Sequence, residues 1–194
     1  MDIIFVLNSI LLGVGLAMDA FSISLANGLN EPGMKAGRMS EIAGIFAIFQ
    51  AVMPMTGWVL VHTIVQYFKA FERLVPWIGL LLLLYIGGKM LIEGIKGDTD
   101  DAITRELGIG LLLIQGVATS IDALSVGFTI ASYDVLTALV CALIIAAVTF
   151  VICIAGLKIG KTAGTHMAGR AGILGGVILI AIGIEIFIKG IFFT

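Results

Sequence analysis

The chain has 194 residues, of which 60% are hydrophobic and only 12% charged, and its mean hydropathy of +1.16 excludes an ordinary soluble domain and places it among polytopic membrane proteins. The formal net charge of -2 offers no basis for nucleic-acid binding. With Lys and Arg gathered in particular connections, the distribution of charge says more than its sum.

Apolar runs long enough to cross a bilayer fall at about 3–27, 42–66, 74–95, 107–131, 135–157 and 171–191, each near the ~20 residues that a spanning helix needs. They predict an all-α integral membrane protein of six transmembrane helices, a single polytopic domain over 1–194. The first run follows Met1-Asp2 with no basic segment, and it holds Asp19 where a signal peptide would hold small residues, so it is expected to remain as helix one. Asn8, Asp19 and Ser22 share one of its faces at helical spacing. The connection from Asn27 to Glu41 carries Pro32-Gly33, Lys35 and Arg38. Helix two holds Gln50 just before Pro54 and Gly57, a polar group beside a helix breaker, where a freed carbonyl could turn toward a cavity or the chain could simply kink. His62 lies near the end of that helix and reads as interfacial, as does His166 in a later loop.

Helix three ends in Ile86-Gly-Gly-Lys-Met-Leu-Ile-Glu-Gly-Ile95, and a linker at 96–106 follows. Asp98-Thr-Asp100-Asp101 in that linker begins like a calcium loop, but Ile103 stands where the sharp turn needs Gly. Helix four carries Gln115, Thr119, Asp122 and Ser125 on one face, so two polar stripes, one on each half of the chain, are expected to face inward. After the Ser132-Tyr133-Asp134 turn, helix five places Cys141 and Cys153 twelve residues apart. That is about 18 Å along the axis, too far to bridge, and both read as small buried apolar residues. Gly156-Leu-Lys-Ile-Gly-Lys-Thr162 resembles a phosphate-binding loop but is one residue short and follows a membrane helix rather than a strand. Gly156, Gly160 and Gly164, and Gly172 with Gly176, suit close helix packing.

The halves repeat. Met18-Asp-Ala-Phe-Ser22 matches Ile121-Asp-Ala-Leu-Ser125, and Ile86–Ile95 matches Ile182-Gly-Ile-Glu-Ile-Phe-Ile-Lys-Gly-Ile191. Repeat one covers about 1–97 and repeat two about 105–194, joined by the cytoplasmic linker 96–106. Each repeat has an odd number of helices, so the second must cross the membrane inverted, as in secondary transporters whose site lies at the midplane. Lys35, Arg38, Lys96, Arg105, Lys158, Lys161 and Arg170 all follow helices one, three and five. That bias places both termini outside a cytoplasmic membrane.

An aspartate at the centre of a membrane helix costs roughly 2.5–3.5 kcal/mol on insertion scales, so two in matching contexts point to function. Interhelical hydrogen bonding explains Ser or Thr in such places, but an amide would serve that purpose without the cost of a charge. Two carboxylates with hydroxyl, amide and carbonyl oxygens suit a hard divalent cation, Mn²⁺, Mg²⁺ or Ca²⁺. Asp19 and Asp122 are the primary ligand candidates, and Ser22, Ser125, Thr119 and Gln50 the weaker ones. Lys89 with Glu93 and Glu185 with Lys189 are i,i+4 pairs at equivalent places in the repeats. They read either as two intrahelical ion pairs or as a Lys89–Glu185 tie between the halves that makes and breaks during transport. No enzyme is expected: an intramembrane aspartyl protease also uses two aspartates, but in Tyr-Asp and Gly-x-Gly-Asp contexts, whereas Asp19 and Asp122 stand in Ala-Met-Asp-Ala and Ser-Ile-Asp-Ala in repeated helices. Proton-coupled export of a small organic solute, such as an amino acid, is the alternative to a cation.

The residues Gly15-Leu-Ala-Met-Asp-Ala-Phe-Ser22, Ala118-Thr-Ser-Ile-Asp-Ala-Leu-Ser125, Ile86-Gly-Gly-Lys-Met-Leu-Ile-Glu-Gly94 and Ile173-Leu-Gly-Gly176 resemble the bacterial manganese efflux pumps of the MntP type, relatives of the lysine-exporter superfamily. The resemblance spans nearly the whole chain. It implies export of Mn²⁺ as substrate across a bacterial or archaeal cytoplasmic membrane, with protons and lipid as partners, no nucleotide and no cofactor, and Asp19 and Asp122 as the matching intramembrane acids. One departure is the neutral Gln50, which removes a possible third carboxylate from helix two.

Overall fold

The computed structural model describes residues 3–63, 75–96, 108–166 and 171–192. They form six helices: α1 (Ile3–Asn30), α2 (Ala36–Thr63), α3 (Val75–Lys96), α4 (Ile109–Thr129), α5 (Val135–His166) and α6 (Ala171–Phe192). Among the described residues there is no strand. Four of the helices, α1, α2, α4 and α5, are long and apolar enough to cross a membrane, which makes this a multi-pass membrane protein. Large apolar side chains such as Leu11, Ile48, Leu143 and Val151 stand exposed on the outside of the bundle. In a lipid solvent such a surface needs no covering.

Two helices are longer than the apolar runs suggest. Helix α2 starts at Ala36 rather than near 42, and α5 continues to His166 rather than stopping near 157. Hydropathy marks only the stretch that needs hydrocarbon, whereas the backbone hydrogen-bond ladder continues through Arg38, Ser40, Lys158 and Lys161 where nothing breaks it. At 32 residues, α5 is about 48 Å long against a hydrocarbon core of about 30 Å, so it projects beyond the membrane. The turn after α1 rests on this projection. Lys161 Nζ donates to Met34 O at 2.6 Å, and a β-carbon on Gly164 would lie 2.7 Å from Leu29 O. At the opposite end Asp134 caps α5, its carboxylate accepting from Thr137 N at 3.3 Å and from Thr137 Oγ1 at 2.6 Å.

The most extensive pairings are α1 with α5 and α3 with α6, followed by α2 with α4 and α2 with α5. Glycine sets the first three. Along α1 and α5, which run in the same sense, Ser9 meets Cys141, and a β-carbon on Gly28 would lie 2.5 Å from Leu157 O and 2.8 Å from Lys161 N. One on Gly160 would strike Leu25 O. The stripe Gly156, Gly160 and Gly164 is therefore a packing surface inside a continuous helix, and Lys161-Thr162 belong to that helix rather than to a phosphate loop. Gly57 on α2 faces Leu124 and Gly127 on α4, and Gly87 on α3 faces Gly176 on α6. Without side chains between them the backbones approach closely enough for dispersion to hold helices that lipid would otherwise solvate equally well.

The buried apolar residues form two groups. The larger includes Ile23, Met34, Ile42, Phe46, Leu112 and Leu157 and fills the half of the bundle nearest the 31–35 turn. The smaller, with Leu16, Ala123, Ile130 and Ile145, lies toward the 130–134 turn. Cys141 and Cys153 are free and buried, as their spacing implies.

Candidate functional site: the crossing of α1, α2 and α4

Helix α1 antiparallels α2 through the short 31–35 turn, and α2 runs parallel to α4, with Phe49 beside Gly116 and Gly57 beside Gly127. Helices α1 and α4 are therefore antiparallel. They are joined by a reciprocal amide pair: Asn27 Nδ2 donates to Gln115 Oε1 at 2.8 Å, and Gln115 Nε2 donates to Asn27 Oδ1 at 3.1 Å. Both side chains are fully buried. Asp19 lies eight residues before Asn27 and Asp122 seven after Gln115, displacements of about 12 and 10 Å in the same direction along the bundle. The two aspartates thus lie at closely similar depth.

Gln50 comes from α2 into the same crossing and is fully buried. Its Nε2 donates to Leu16 O at 3.0 Å and to Thr119 O at 3.3 Å. Each of those carbonyls belongs to the residue three before an aspartate, Leu16 before Asp19 and Thr119 before Asp122. Gln50 Oε1 is buried without a hydrogen-bond partner. Pro54, four residues on, lacks the N–H that would bond the Gln50 carbonyl, and yet α2 is continuous from Ala36 to Thr63. One residue thereby offers two oxygens with unspent acceptor capacity next to the crossing point.

The inward-facing stripes need correction. Gln115 and Thr119 are buried, and Asp19 and Ser22 are partly buried, but Asp122, Ser125 and Asn8 are exposed. From Asp19 toward Asn27, α1 buries Ala20, Ile23, Ser24 and Ala26, and from Gln115 to Ile121 α4 is almost wholly buried. Burial gives way at the aspartates, and on the far side Asn8, Gly15, Ser125 and Thr129 are exposed. A helical stripe identifies a shared face but not how far along it the neighbouring helices reach, and here the cover over this face thins at the aspartates although other faces, with Gly13, Gly127 and Ile130, stay buried. Asp122 Oδ1 accepts from Ala123 N at 2.9 Å, and both aspartates have interactions within the protein. The hydroxyls turn to their own helices: Ser22 Oγ donates to Met18 O at 3.0 Å, and Thr119 Oγ1 to Gln115 O at 2.9 Å. Such bonds leave the oxygen lone pairs available to a cation.

Among the described residues no group of three or more His, Cys, Asp or Glu converges on a point, so a cation here would draw most of its ligands from neutral oxygens. His62 is exposed, its Nδ1 2.8 Å from Trp58 O and its ring stacked on Trp58 at 4.0 Å. Lys89, Glu93, Glu185 and Lys189 all belong to the tightly packed α3–α6 pair, and Lys89 is exposed. The side chains of Glu93, Glu185 and Lys189 lie outside the described residues, as do that of His166 and the whole Asp98–Asp101 linker. Asn27 is the residue that the sequence stripes left out. Its signal is the near-mirror spacing of two amides from two aspartates, which means something only once α1 and α4 are known to be antiparallel.

Against known proteins, residues 33–187 match the family model described as "Putative manganese efflux pump". The chain is 40% identical over 185 residues to "Putative manganese efflux pump MntP" of Ruminiclostridium cellulolyticum, covering 95% of this chain and 96% of that protein. It is 40% identical over 201 residues to "Putative manganese efflux pump MntP 2" of Clostridium botulinum strain Langeland, covering 97% and 96%. A similarly described protein of Clostridium perfringens strain 13 is 37% identical over 205 residues, covering 95% and 94%. No solved structure matches.

Proposed function

The chain belongs to the "Putative manganese efflux pump" family, and from that membership we propose that it is a secondary transporter that exports Mn²⁺ across a bacterial or archaeal cytoplasmic membrane in exchange for protons. Asp19 and Asp122 are the charged ligands, with Gln50, Thr119, Ser22 and Ser125 as oxygen donors around them. The observation that carries this reading is the position of Gln50. Its amide bonds Leu16 O and Thr119 O, two carbonyls separated by the same 103 residues that separate the aspartates, so it occupies the point where two like halves meet.

The six helices span as two inverted three-helix repeats in this reading. Support comes from the pairing pattern. Exchanging α1 with α4, α2 with α5 and α3 with α6 turns the α1–α5 pair into α4–α2 and the α1–α6 pair into α4–α3, while α3–α6 and α2–α5 return themselves, and all of these pairs are in contact. An inverted repeat explains that closure. The basic residues at the 31–35 turn and on the α5 projection favour that end in the cytoplasm, with both termini outside in this reading. An exposed carboxylate is costly against hydrocarbon, so in this reading the exposed side of Asp122 faces water rather than lipid.

Mn²⁺ prefers carboxylate, carbonyl and hydroxyl oxygens, the donor types gathered here. Moving two charges outward against a negative interior costs about 4.6 kcal/mol per 100 mV. Two protons carried inward on the carboxylates remove that cost by making the cycle electroneutral. Expression in a manganese-sensitive efflux-deficient strain tests the function: tolerance and low cell manganese are expected, and tolerance without any change in cell manganese would contradict export.

A further inference from the structure

We infer that Asn27 and Gln115 form the latch that closes the cytoplasmic side of the transport path, a role that rests on the transporter reading above. The pair is buried between the two halves, about two helical turns inward of the aspartates, and each amide satisfies the other. On the faces that carry Asp19 and Asp122 burial is denser on this side than on the other, where Asn8, Gly15, Ser125 and Thr129 are exposed while Leu16, Ala123 and Ile130 stay buried. The inner side is therefore the more closely covered, and these are the side chains that hydrogen-bond α1 to α4 across it. Mn²⁺ from the cytoplasm cannot reach the aspartates until they part.

The seal is chemically asymmetric. By the 103-residue offset, the positions equivalent to Asn27 and Gln115 are Ile130 and Leu12, both within the apolar group near the 130–134 turn. The outer side thus holds only apolar contact at these positions, whereas the inner side holds two amide hydrogen bonds set within the larger apolar group. Water entering from the cytoplasm can replace those bonds one for one, whereas apolar contact gains nothing from water. The latch thus opens readily toward the side from which the substrate comes. Interhelical hydrogen bonds in membranes are worth little enough that removing this pair shifts the ratio of the two states about five- to thirtyfold rather than absolutely.

The experiment uses the full-length chain with Cys141→Ala and Cys153→Ala and a reporter, Thr119→Cys, which is buried between Gln115 and Asp122 in the sealed state. In inside-out vesicles an impermeant thiol reagent labels this reporter slowly, and Asn27→Ala or Gln115→Ala speeds labelling about five- to thirtyfold. Unchanged labelling in both variants, at normal membrane levels, overturns the latch. Should the alanine variants fail to accumulate, the exchange Asn27→Gln with Gln115→Asn, which retains both hydrogen bonds, must accumulate and keep Thr119→Cys slow. Loss of the exchanged protein, or fast labelling in it, also overturns the latch. A second reporter, Ser125→Cys, reacts from outside in intact cells. If it reacts from the cytoplasm instead, the orientation fails and not the latch, and neither labelling assay depends on which cation is carried.

Discussion

The side-chain amide of Gln50 donates to the main-chain oxygen of Leu16 at 3.0 Å, one helical turn before Asp19. The same nitrogen reaches Thr119 O at 3.3 Å, one turn before Asp122. A neutral amide can hold both carbonyls and still present its own oxygen, whereas an ionised carboxylate in its place would face two acceptors with none of its own protons to offer. The neutral residue thus both fastens α2 to the crossing and keeps its own oxygen unspent as an acceptor.

Gln50→Leu removes both bonds and the oxygen. Stability should fall by about 1–3 kcal/mol, read as a lower melting temperature in detergent, and Mn²⁺ export should fall by more than the remaining folded protein accounts for. Export at the wild-type rate per folded molecule would show that Gln50 only fastens helices.

Asp19→Asn and Asp122→Asn keep size and hydrogen bonding but remove the charge a hard cation requires. Each should abolish manganese tolerance in cells while the protein reaches the membrane at normal levels. Tolerance near wild type in either variant removes that aspartate from the site.

Glycine contacts make a separate prediction. A β-carbon at Gly57 would strike Leu124 O, and one at Gly160 would strike Leu25 O, in both cases backbone that cannot swing aside. Gly57→Ala and Gly160→Ala should each cost about 1–3 kcal/mol by forcing helices apart. Gly15→Ala meets nothing within 4 Å and should leave thermal stability unchanged.

Much of this was legible in the sequence because lipid imposes simple rules. The six apolar runs became the six helices, the four-spaced glycines of α5 became contacts with α1, and Gly176 became a contact with α3. The ends of α2 and α5 were not legible, since Arg38 and Lys158 end hydropathy without ending a helix. Nor was the exposure of Asp122 and Ser125, which depends on where neighbouring helices stop covering α4. Asn27 resembled the start of a loop because its partner, Gln115, is 88 residues away.

Asp134 stands in the turn before α5, outside the membrane span, and its bonds to Thr137 hold its pKa below the usual 3.8. A carboxylate whose pKa is lowered by folding stabilises the fold above the unfolded value and ceases to do so as pH falls through the folded value. Asp134→Ala should therefore lower the melting temperature at neutral pH, and the difference from wild type should shrink as pH falls below 3.8 and through the lowered folded value. A difference that persists in acid would assign the effect to something other than the charged cap.

Orientation can be read from two exposed turn residues. Ser132→Cys should react with an impermeant reagent in intact cells, and Gly33→Cys only after the membrane is opened. The reverse pattern would invert both repeats.

The most direct measurement is of purified protein in proteoliposomes with an imposed pH gradient and the membrane potential clamped. Mn²⁺ should move against the proton flow, each ion accompanied by two protons in the opposite direction, and both fluxes should disappear in Asp19→Asn. Mn²⁺ flux that follows membrane potential alone, with no proton movement, would contradict exchange on the aspartates and leave a uniporter or channel in its place.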